Sequence, residues 1–294
     1  MADVKPAKDG IVYKKVGKLE IPLDLYLPNN AKGVPILLWF HGGGLLQGRR
    51  DSLAPWMRKA SQKGDLAVIS ADYRLAPQAS VQEILEDVLD CIKFIRNGLS
   101  SQVGDGILDT SRLAVSGSSA GGYLALMAGI YADPKPNAIL PIYPITDPLG
   151  TFFTNPQPPA LGRPLVAREE LADFLDPKAE QVAWNEPNSA RQNMYIRMQH
   201  DANLAKLLHV PEGEAANKFR LSRQIYGLRS CPAYFLHGDA DSAVGVEQAD
   251  EVVGAMVGCG IEVQYERVHG KDHFFDTPPD YENEKFWAFM FKHL

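Results

Sequence analysis

The stretch that decides the fold is Val115-Ser116-Gly117-Ser118-Ser119-Ala120-Gly121-Gly122, between an apolar strand-like segment and an apolar helix-like segment. A serine framed in this way fits a sharp strand-to-helix turn, whose backbone is too crowded for side chains at positions 117 and 121. Such a turn exposes the hydroxyl, and a serine acts as a nucleophile only when it is exposed and has a base beside it. The pattern alone recurs by chance in roughly one chain in ten of this composition, so the rest of the sequence must support it.

The composition is that of a globular protein with one sizeable core. The chain has 294 residues, 45% of them hydrophobic and 22% charged. A net charge of -6 and the lack of any lysine or arginine cluster argue against nucleic-acid binding. The three cysteines at positions 91, 231 and 259 have no metal-ligand spacing and are odd in number, which favours a cytoplasmic location. No segment has the pattern of a signal peptide or a membrane span.

Apolar, β-branched runs alternate with helical patterns along most of the chain. This alternation predicts an α/β fold with a mostly parallel central sheet of about eight strands and helices on both faces. Two segments near the amino terminus, 11–16 and 21–27, are expected to be antiparallel edge strands. The remaining strands are predicted at 34–40, 66–70, 112–116, 138–142, 233–236 and 262–268.

Helical spacing is clearest between residues 81 and 95. Apolar residues there recur every three or four positions, which gives a wide apolar face, and Ser80 is placed to cap the helix. Further helices are expected directly after Ser119, over 246–257 and over 282–293.

Residues 147–228 interrupt the alternation with a proline-rich run and then amphipathic, helical patterns. They predict a mainly helical cap inserted into a catalytic domain formed by residues 1–146 and 229–294, above the carboxyl edge of the sheet where α/β folds bind ligands. Large apolar side chains of this segment either line an acyl pocket or, as we favour, pack the core of the cap. They are Phe152, Phe153, Phe174, Trp184, Met194, Tyr195 and Met198.

A second motif, His41-Gly42-Gly43-Gly44, follows the predicted strand 34–40. Attack on an ester builds negative charge on the carbonyl oxygen, and peptide N–H groups stabilise that charge where glycines allow close approach. The expected donors are the N–H groups of Gly43, Gly44 and Ala120. His41 is expected to hydrogen-bond this loop. The run lacks the order of a nucleotide-binding loop and the lysine of a P-loop, so no cofactor is predicted.

A serine nucleophile needs a base, and the base needs a carboxylate that orients it. With a serine on this kind of turn, the chain order is serine, acid, histidine. The strand at 233–236 leads into a loop with two carboxylates, Asp239 and Asp241. Asp241 is the favoured acid, because Asp239 lies beside Gly238 and is better placed to shape the turn.

The strand at 262–268 leads into a loop with two histidines, His269 and His273. His273 is the favoured base, because it lies farther into the loop and two aromatic residues follow it. A spacing of four could also suit a metal site on a helix, but Gly270 makes a helix doubtful and no carboxylate is placed to join the pair. No metal is therefore predicted.

Together these motifs resemble the α/β-hydrolase superfamily, and within it the hormone-sensitive-lipase-like carboxylesterases. The resemblance rests on residues 41–44, on residues 117–122 and on Asp72-Tyr73-Arg74-Leu75-Ala76-Pro77. It implies that Asp72 and Arg74 form an internal ion pair that supports the oxyanion loop. The chain departs from the family pattern at Ser118 and Gln78, where the family usually has acidic residues. The acid loop is closer to peptidase-like hydrolases, and the amino-terminal segment is too short for the usual cap helices.

These features predict a serine esterase with the triad Ser119, Asp241 and His273, acting on esters of small or apolar molecules through an acyl-enzyme. A lactonase, an amide hydrolase and an acyltransferase would use the same triad. A ligand receptor on this fold is less favoured, because such receptors usually lose a triad member. The expected partner is a small ester or lactone, with no nucleic acid and no membrane span, and a homodimer is left open.

Overall fold

A central sheet of eight strands organises the protein, which is described here by a computed structural model over residues 4–63 and 65–294. The strand order is β1-β2-β4-β3-β5-β6-β7-β8. Strands β1 and β2 run antiparallel to their neighbours and the other pairs are parallel. This confirms the predicted α/β fold. The strands are β1 Lys8–Val16, β2 Leu19–Tyr26, β3 Val34–Phe40, β4 Ala67–Ala71, β5 Leu108–Ser118, β6 Ala138–Ile142, β7 Ala233–Gly238 and β8 Val263–Val268.

The register of the parallel strands brings the predicted site loops together. In the pairing of β3 with β5, Phe40 lies opposite Gly117, so the glycine loop after β3 and the serine turn after β5 leave the sheet side by side. In the pairing of β7 with β8, Gly238 lies opposite Val268, so the acid and histidine loops also leave as neighbours. All four loops emerge at the carboxyl edge, where open α/β sheets bind their ligands.

Helices cover both faces of the sheet. Helix α2 follows its predicted span, and Ser80 and Glu83 form a reciprocal capping box at its start. Across residues 4–63 and 65–294, no helix is both long enough and apolar enough to span a membrane. The helices are α1 Pro55–Lys63, α2 Val81–Asn97, α3 Leu99–Val103, α4 Ala120–Tyr131, α5 Thr151–Thr154, α6 Ala172–Leu175, α7 Met194–Asp201, α8 Leu204–Leu207, α9 Leu221–Leu228, α10 Glu247–Gly258 and α11 Glu284–His293.

Helix α1 has no counterpart among the sequence-based expectations. Its nine residues are mostly polar, and only Trp56, Met57 and Ser61 are buried, which leaves too weak a periodic pattern to recognise. The short helix α3 was not predicted either. Elsewhere the predicted boundaries differ from the observed ones by a few residues. The largest extension is in β5, which begins at Leu108 and not at residue 112.

The segment 147–228, called the cap segment below, contains no strand among its residues, all of which the structure describes. It consists of helices α5 to α9, four short 3-10 helices and irregular connections. Buried side chains of this segment, such as Phe153, Leu204 and Phe219, belong to the same apolar cluster as Ile36 and Leu38 of β3. The division of the chain into a catalytic domain and a cap stays a prediction.

Candidate active site

Ser119 occupies the turn between β5 and α4 in a left-handed conformation, with φ 58° and ψ -117°. A Cβ added at Gly117 would collide with the backbone of Gly121, and one added at Gly121 would collide with the Phe40 carbonyl oxygen. The glycines on both sides of the serine are therefore required by close backbone packing. The Ser119 N–H donates to the carbonyl of Ile142 over 2.8 Å, which holds the turn against the next strand.

The loop after β3 contains peptide N–H groups without a partner among the described residues. Gly43 and Gly44 have φ values of 104° and 67°, in the region that favours glycine. Among the described residues, no acceptor pairs with the N–H groups of Gly43, Gly44 or Ala120. Ala120 is the first residue of α4, where helical N–H groups have no partner inside the helix. These three groups are available to a negatively charged oxygen.

His41 binds the backbone of this loop through its imidazole ring. Its Nδ1 lies 2.8 Å from the Gly42 carbonyl oxygen, and its ring stacks on Tyr73 with 4.2 Å between centroids. Burial lowers the pKa of His41 to about 4, so the ring is neutral at pH 7. The hydrogen bond to the loop agrees with the expectation from the sequence.

The expected ion pair between Asp72 and Arg74 is wrong. Arg50 donates to Asp72 from its backbone N–H over 2.7 Å and from Nη1 over 2.6 Å. Arg74 instead binds Asp87 of α2, with Nη2 2.8 Å from Oδ1, and also contacts Glu83. Asp72 and Arg74 therefore each pair with a residue of another part of the fold, and not with each other.

Asp241 and His273 form a short, buried contact, with 2.7 Å between Asp241 Oδ2 and His273 Nδ1. Both side chains are almost fully shielded from solvent. The other carboxylate oxygen, Oδ1, accepts from the backbone N–H groups of Ala243 and Val244, each over 2.8 Å. Burial by itself would raise the pKa of Asp241, but His273 and a hydrogen bond from His237 hold it well below its usual value. Asp241 is therefore an anion at neutral pH.

A second imidazole, that of His237 at the end of β7, also faces Asp241. Its Nε2 lies 2.9 Å from the Val244 carbonyl oxygen and 3.4 Å from Asp241 Oδ2. Both neighbours are acceptors, so Nε2 carries a proton. Nδ1 of His237 is buried and has no partner among the described residues. Sequence reasoning gave no role to this histidine, although it directly precedes the acid loop.

The alternative acid and base considered from the sequence, Asp239 and His269, contact each other at the surface. Asp239 Oδ2 lies 3.0 Å from His269 Nδ1, and its Oδ1 accepts from the N–H of Gly270 over 2.6 Å. The side chain of His269 is 98% exposed. Asp239 thus links the two loops after β7 and β8, whereas the sequence suggested that it shapes its own turn.

Asp272 makes a second link between the same two loops. Its Oδ1 accepts from the backbone N–H groups of Ser242 and His273, each over 2.7 Å. The acid and the histidine are therefore positioned by one shared carboxylate as well as by their direct contact. Sequence reasoning also missed this residue.

A cavity that opens to solvent is lined by both Ser119 and His273. Tyr195 lines it, whereas Phe153, Met194 and Met198 of the cap segment are buried in the core cluster, as the packing alternative predicted. Phe274 is one of the two aromatic residues that the sequence placed next to His273. Leu161 and Arg163 were not expected, because they lie in turns without a periodic pattern. The lining residues are Gly43, Gln47, Ser119, Ala160, Leu161, Arg163, Tyr195, Ile196, Ala243, His273 and Phe274. Within the described part of the chain, no group of three or more metal-ligating side chains converges.

The chain is similar to a known protein family and to several solved structures. A family model described as alpha/beta hydrolase fold matches residues 37–277. An alpha/beta hydrolase superfamily protein from Enterococcus faecalis aligns with 99% of this chain and 97% of its own, with a TM-score of 0.72 and 18% identity. An esterase from Thermogutta terrifontis, solved with propionate bound, aligns with 99% of this chain and 93% of its own, with a TM-score of 0.60 and 20% identity.

Curated sequences similar to this chain are parts of much longer proteins. A non-reducing polyketide synthase of Penicillium roqueforti is 29% identical over 95% of this chain, and one of Aspergillus calidoustus is 28% identical over 94%. The chain spans 13% of the length of each of these relatives.

Proposed function

The chain belongs to the α/β hydrolase fold family, and on that premise we propose that it is a serine hydrolase that cleaves carboxylic esters through an acyl-enzyme. The observation that carries the proposal is the 2.7 Å contact between His273 Nδ1 and Asp241 Oδ2, in a site whose cavity also contains Ser119. A base oriented by a buried carboxylate beside a serine on a tight turn is the arrangement that activates a hydroxyl.

In the proposed reaction, the Ser119 hydroxyl attacks the ester carbonyl while His273 Nε2 accepts its proton. Asp241 stabilises the imidazolium through Nδ1. The N–H groups of Gly43, Gly44 and Ala120 donate to the oxyanion of the tetrahedral intermediate. The imidazolium then protonates the leaving alcohol. A water molecule, deprotonated by His273, hydrolyses the acyl-enzyme and regenerates the serine.

The lining of the site supports small or apolar acyl groups. Its walls are mostly apolar and include Ala160, Leu161, Ile196 and Phe274. The Thermogutta esterase, which has propionate bound, supports a short acyl chain as the first substrate to test. Because the curated relatives are polyketide synthases, polyketide esters are a second class to include. A lactone, an amide or acyl transfer to another alcohol would use the same residues.

The test is hydrolysis of p-nitrophenyl acetate by wild type, Ser119→Ala and the control Ser101→Ala, whose serine is exposed on α3. We expect Ser119→Ala to lose a factor on the order of 10³ or more in kcat, because the acyl-enzyme cannot form. Ser101→Ala should retain wild-type activity. A fluorophosphonate should label wild type stoichiometrically and leave Ser119→Ala unlabelled. Residual activity of Ser119→Ala within a few-fold of wild type would refute the proposal.

A further inference from the structure

Two apolar side chains are held at the mouth of the candidate site by strained backbone. Leu161 and Phe274 have φ values of 57° and 62°, a left-handed conformation that costs free energy for residues other than glycine. Both line the cavity that contains Ser119, and they are 40% and 43% exposed. Strained residues with exposed apolar side chains cluster at binding sites, because packing elsewhere must hold them there.

The turn that carries Leu161 is anchored to the acid loop. The Leu161 N–H donates to Ser242 Oγ over 3.0 Å, and the Ala160 N–H donates to Gln199 Oε1 over 3.1 Å. Gln199 Nε2 in turn donates to the Ser242 carbonyl over 2.7 Å. The position of Leu161 is therefore fixed relative to the loop that carries Asp241.

Arg163, two residues farther along this turn, is the one permanently charged side chain that lines the cavity. Its Nη2 donates to the neutral amide oxygen of Asn193 over 3.0 Å. Among the described residues, no carboxylate lies within ion-pair distance of it. Arg168 and Arg197 of the same cap segment, by contrast, both pair with Asp201. Arg163 is thus an uncompensated cation at the mouth of a site in a chain of net charge -6.

We propose that Arg163 is a specificity-determining residue that selects esters carrying a carboxylate next to an apolar group, with the apolar group held between Leu161 and Phe274. This inference rests on the proposed ester hydrolysis. A guanidinium binds a carboxylate through two parallel N–H groups. The bond to Asn193 takes one N–H of Arg163 Nη2, which leaves one such pair at this exposed position. The carboxylate can belong to the leaving alcohol or to the acyl group.

Two matched pairs of substrates distinguish these two positions of the carboxylate. In the first pair, 4-acetoxybenzoate is compared with 4-acetoxybenzamide, so that the charge lies on the leaving group. In the second pair, monoethyl glutarate is compared with ethyl 5-oxohexanoate, so that the charge lies on the acyl group. The quantity measured is the ratio of kcat/KM for the anionic ester to that for its neutral partner.

The variants are Arg163→Gln, Arg163→Lys and the control Arg223→Gln. Arg223 is also an exposed arginine of the cap segment bound to an asparagine oxygen, Asn217 Oδ1 at 2.9 Å, so its loss changes the net charge equally. In wild type we expect one of the two pairs to favour the anion by roughly 5- to 20-fold. Arg163→Gln should reduce that ratio to about one, Arg163→Lys should retain part of it, and Arg223→Gln should leave it unchanged.

Three results would overturn the inference: a wild-type ratio of one or less in both pairs, a ratio unaffected by Arg163→Gln, or an equal loss in Arg223→Gln. If wild type hydrolyses none of the four esters and Ser119 is not labelled by a fluorophosphonate, it is the proposed function that fails. If Ser119 is labelled but no ester is hydrolysed, we measure how far benzoate and benzamide each slow the labelling of Ser119 by the fluorophosphonate. If benzoate slows the labelling equally in wild type and Arg163→Gln, the role of Arg163 is rejected.

Discussion

At the scale of single residues, His273 lies close to two buried carboxylates, one in direct contact and one through an aromatic ring. Tyr143 packs against the imidazole with 4.2 Å between ring centroids, and its hydroxyl donates to Asp276 Oδ1 over 2.6 Å. Trp56 Nε1 lies 3.4 Å from the other oxygen of Asp276. None of the described residues forms a salt bridge with Asp276. Its burial raises the pKa of this carboxyl, although the two donors oppose the shift.

We expect Asp276→Asn to become more stable relative to wild type as the pH rises above about 4 towards neutral. A raised pKa means that folded Asp276 keeps a proton that the unfolded chain releases near pH 4. The free energy of unfolding of wild type therefore falls with pH until the folded carboxyl also ionises. Asparagine has no such dependence. The measurement is the Tm of both proteins across this pH range.

The control for this experiment is Asp280→Asn, which changes an exposed carboxylate in the same loop. The pH dependence of Tm in Asp276→Asn is compared with that in this variant, which loses one charge at the surface. A constant difference in Tm between Asp276→Asn and wild type would contradict the assigned shift, even if the variant were less stable at every pH.

At the scale of elements, the loop after β3 is held by the segment that precedes α7. The Gly48 N–H donates to Asn185 Oδ1 over 2.6 Å, and the Asn185 N–H donates back to the Gly48 carbonyl over 3.2 Å. The side chain of Gln47 also bridges to this segment, donating to the Gln192 carbonyl and accepting from the Tyr195 N–H. The position of the candidate oxyanion donors therefore depends on the cap segment.

The buried guanidinium of Arg191 completes this attachment. It donates to the Leu46 and Ala76 carbonyls and to Gln78 Oε1, each over 2.8 Å. Gln78 Nε2 donates to two further carbonyls, those of Phe174 and Asp176. A carboxylate at position 78 could accept from Arg191 but could not donate, so the departure from the family pattern at this position has a structural reason.

We expect Asn185→Ala to lower kcat about 10-fold with little change in KM, because the loop that carries the oxyanion donors would lose a tether outside the substrate pocket. The measurement is steady-state hydrolysis of a short p-nitrophenyl ester. Asn155→Ala is the matched control, since that exposed amide bonds only the nearby Thr151 carbonyl. An increase in KM with unchanged kcat would show that Asn185 acts on ground-state binding instead.

The elements differ in how far the sequence could predict them. The helix at 81–95 and the strand at 34–40 have strong periodic or continuous apolar patterns, and both occur where expected. The positions of the acid and histidine loops could be predicted because each loop follows a recognisable parallel strand. The partner of Asp72 and the lining residue Arg163 depend on tertiary neighbours in turns, and no local pattern contains that information.

At the scale of the whole molecule, the cap segment and the sheet share one hydrophobic core. Buried residues of the cap segment such as Leu204 and Leu171 belong to the cluster that contains Ile36 and Val115 of the central strands. Elements that share a continuous core lose their stabilising contacts together when either unfolds. The cap segment is thus bound to the sheet by apolar packing as well as by the hydrogen bonds described above.

We expect a single cooperative transition when the protein unfolds on heating, with equal calorimetric and van't Hoff enthalpies. Leu204→Ala, which removes a fully buried side chain of the cap segment, should destabilise the protein by about 2 to 5 kcal/mol and move the whole transition. Ile36→Ala in the sheet is the matching variant and should have the same kind of effect. Differential scanning calorimetry that resolved a separate early transition in Leu204→Ala would contradict a shared core.

The left-handed backbone of Ser119 also has a consequence for how the sequence can change over evolutionary time. Holding a serine in this conformation costs on the order of 1 kcal/mol that glycine would not lose at the same turn. A lineage that no longer needs the hydroxyl can therefore gain stability by replacing it. Under the proposed mechanism the serine persists only by selection for its chemistry, which makes position 119 a sensitive marker of whether descendants of this chain keep the proposed activity.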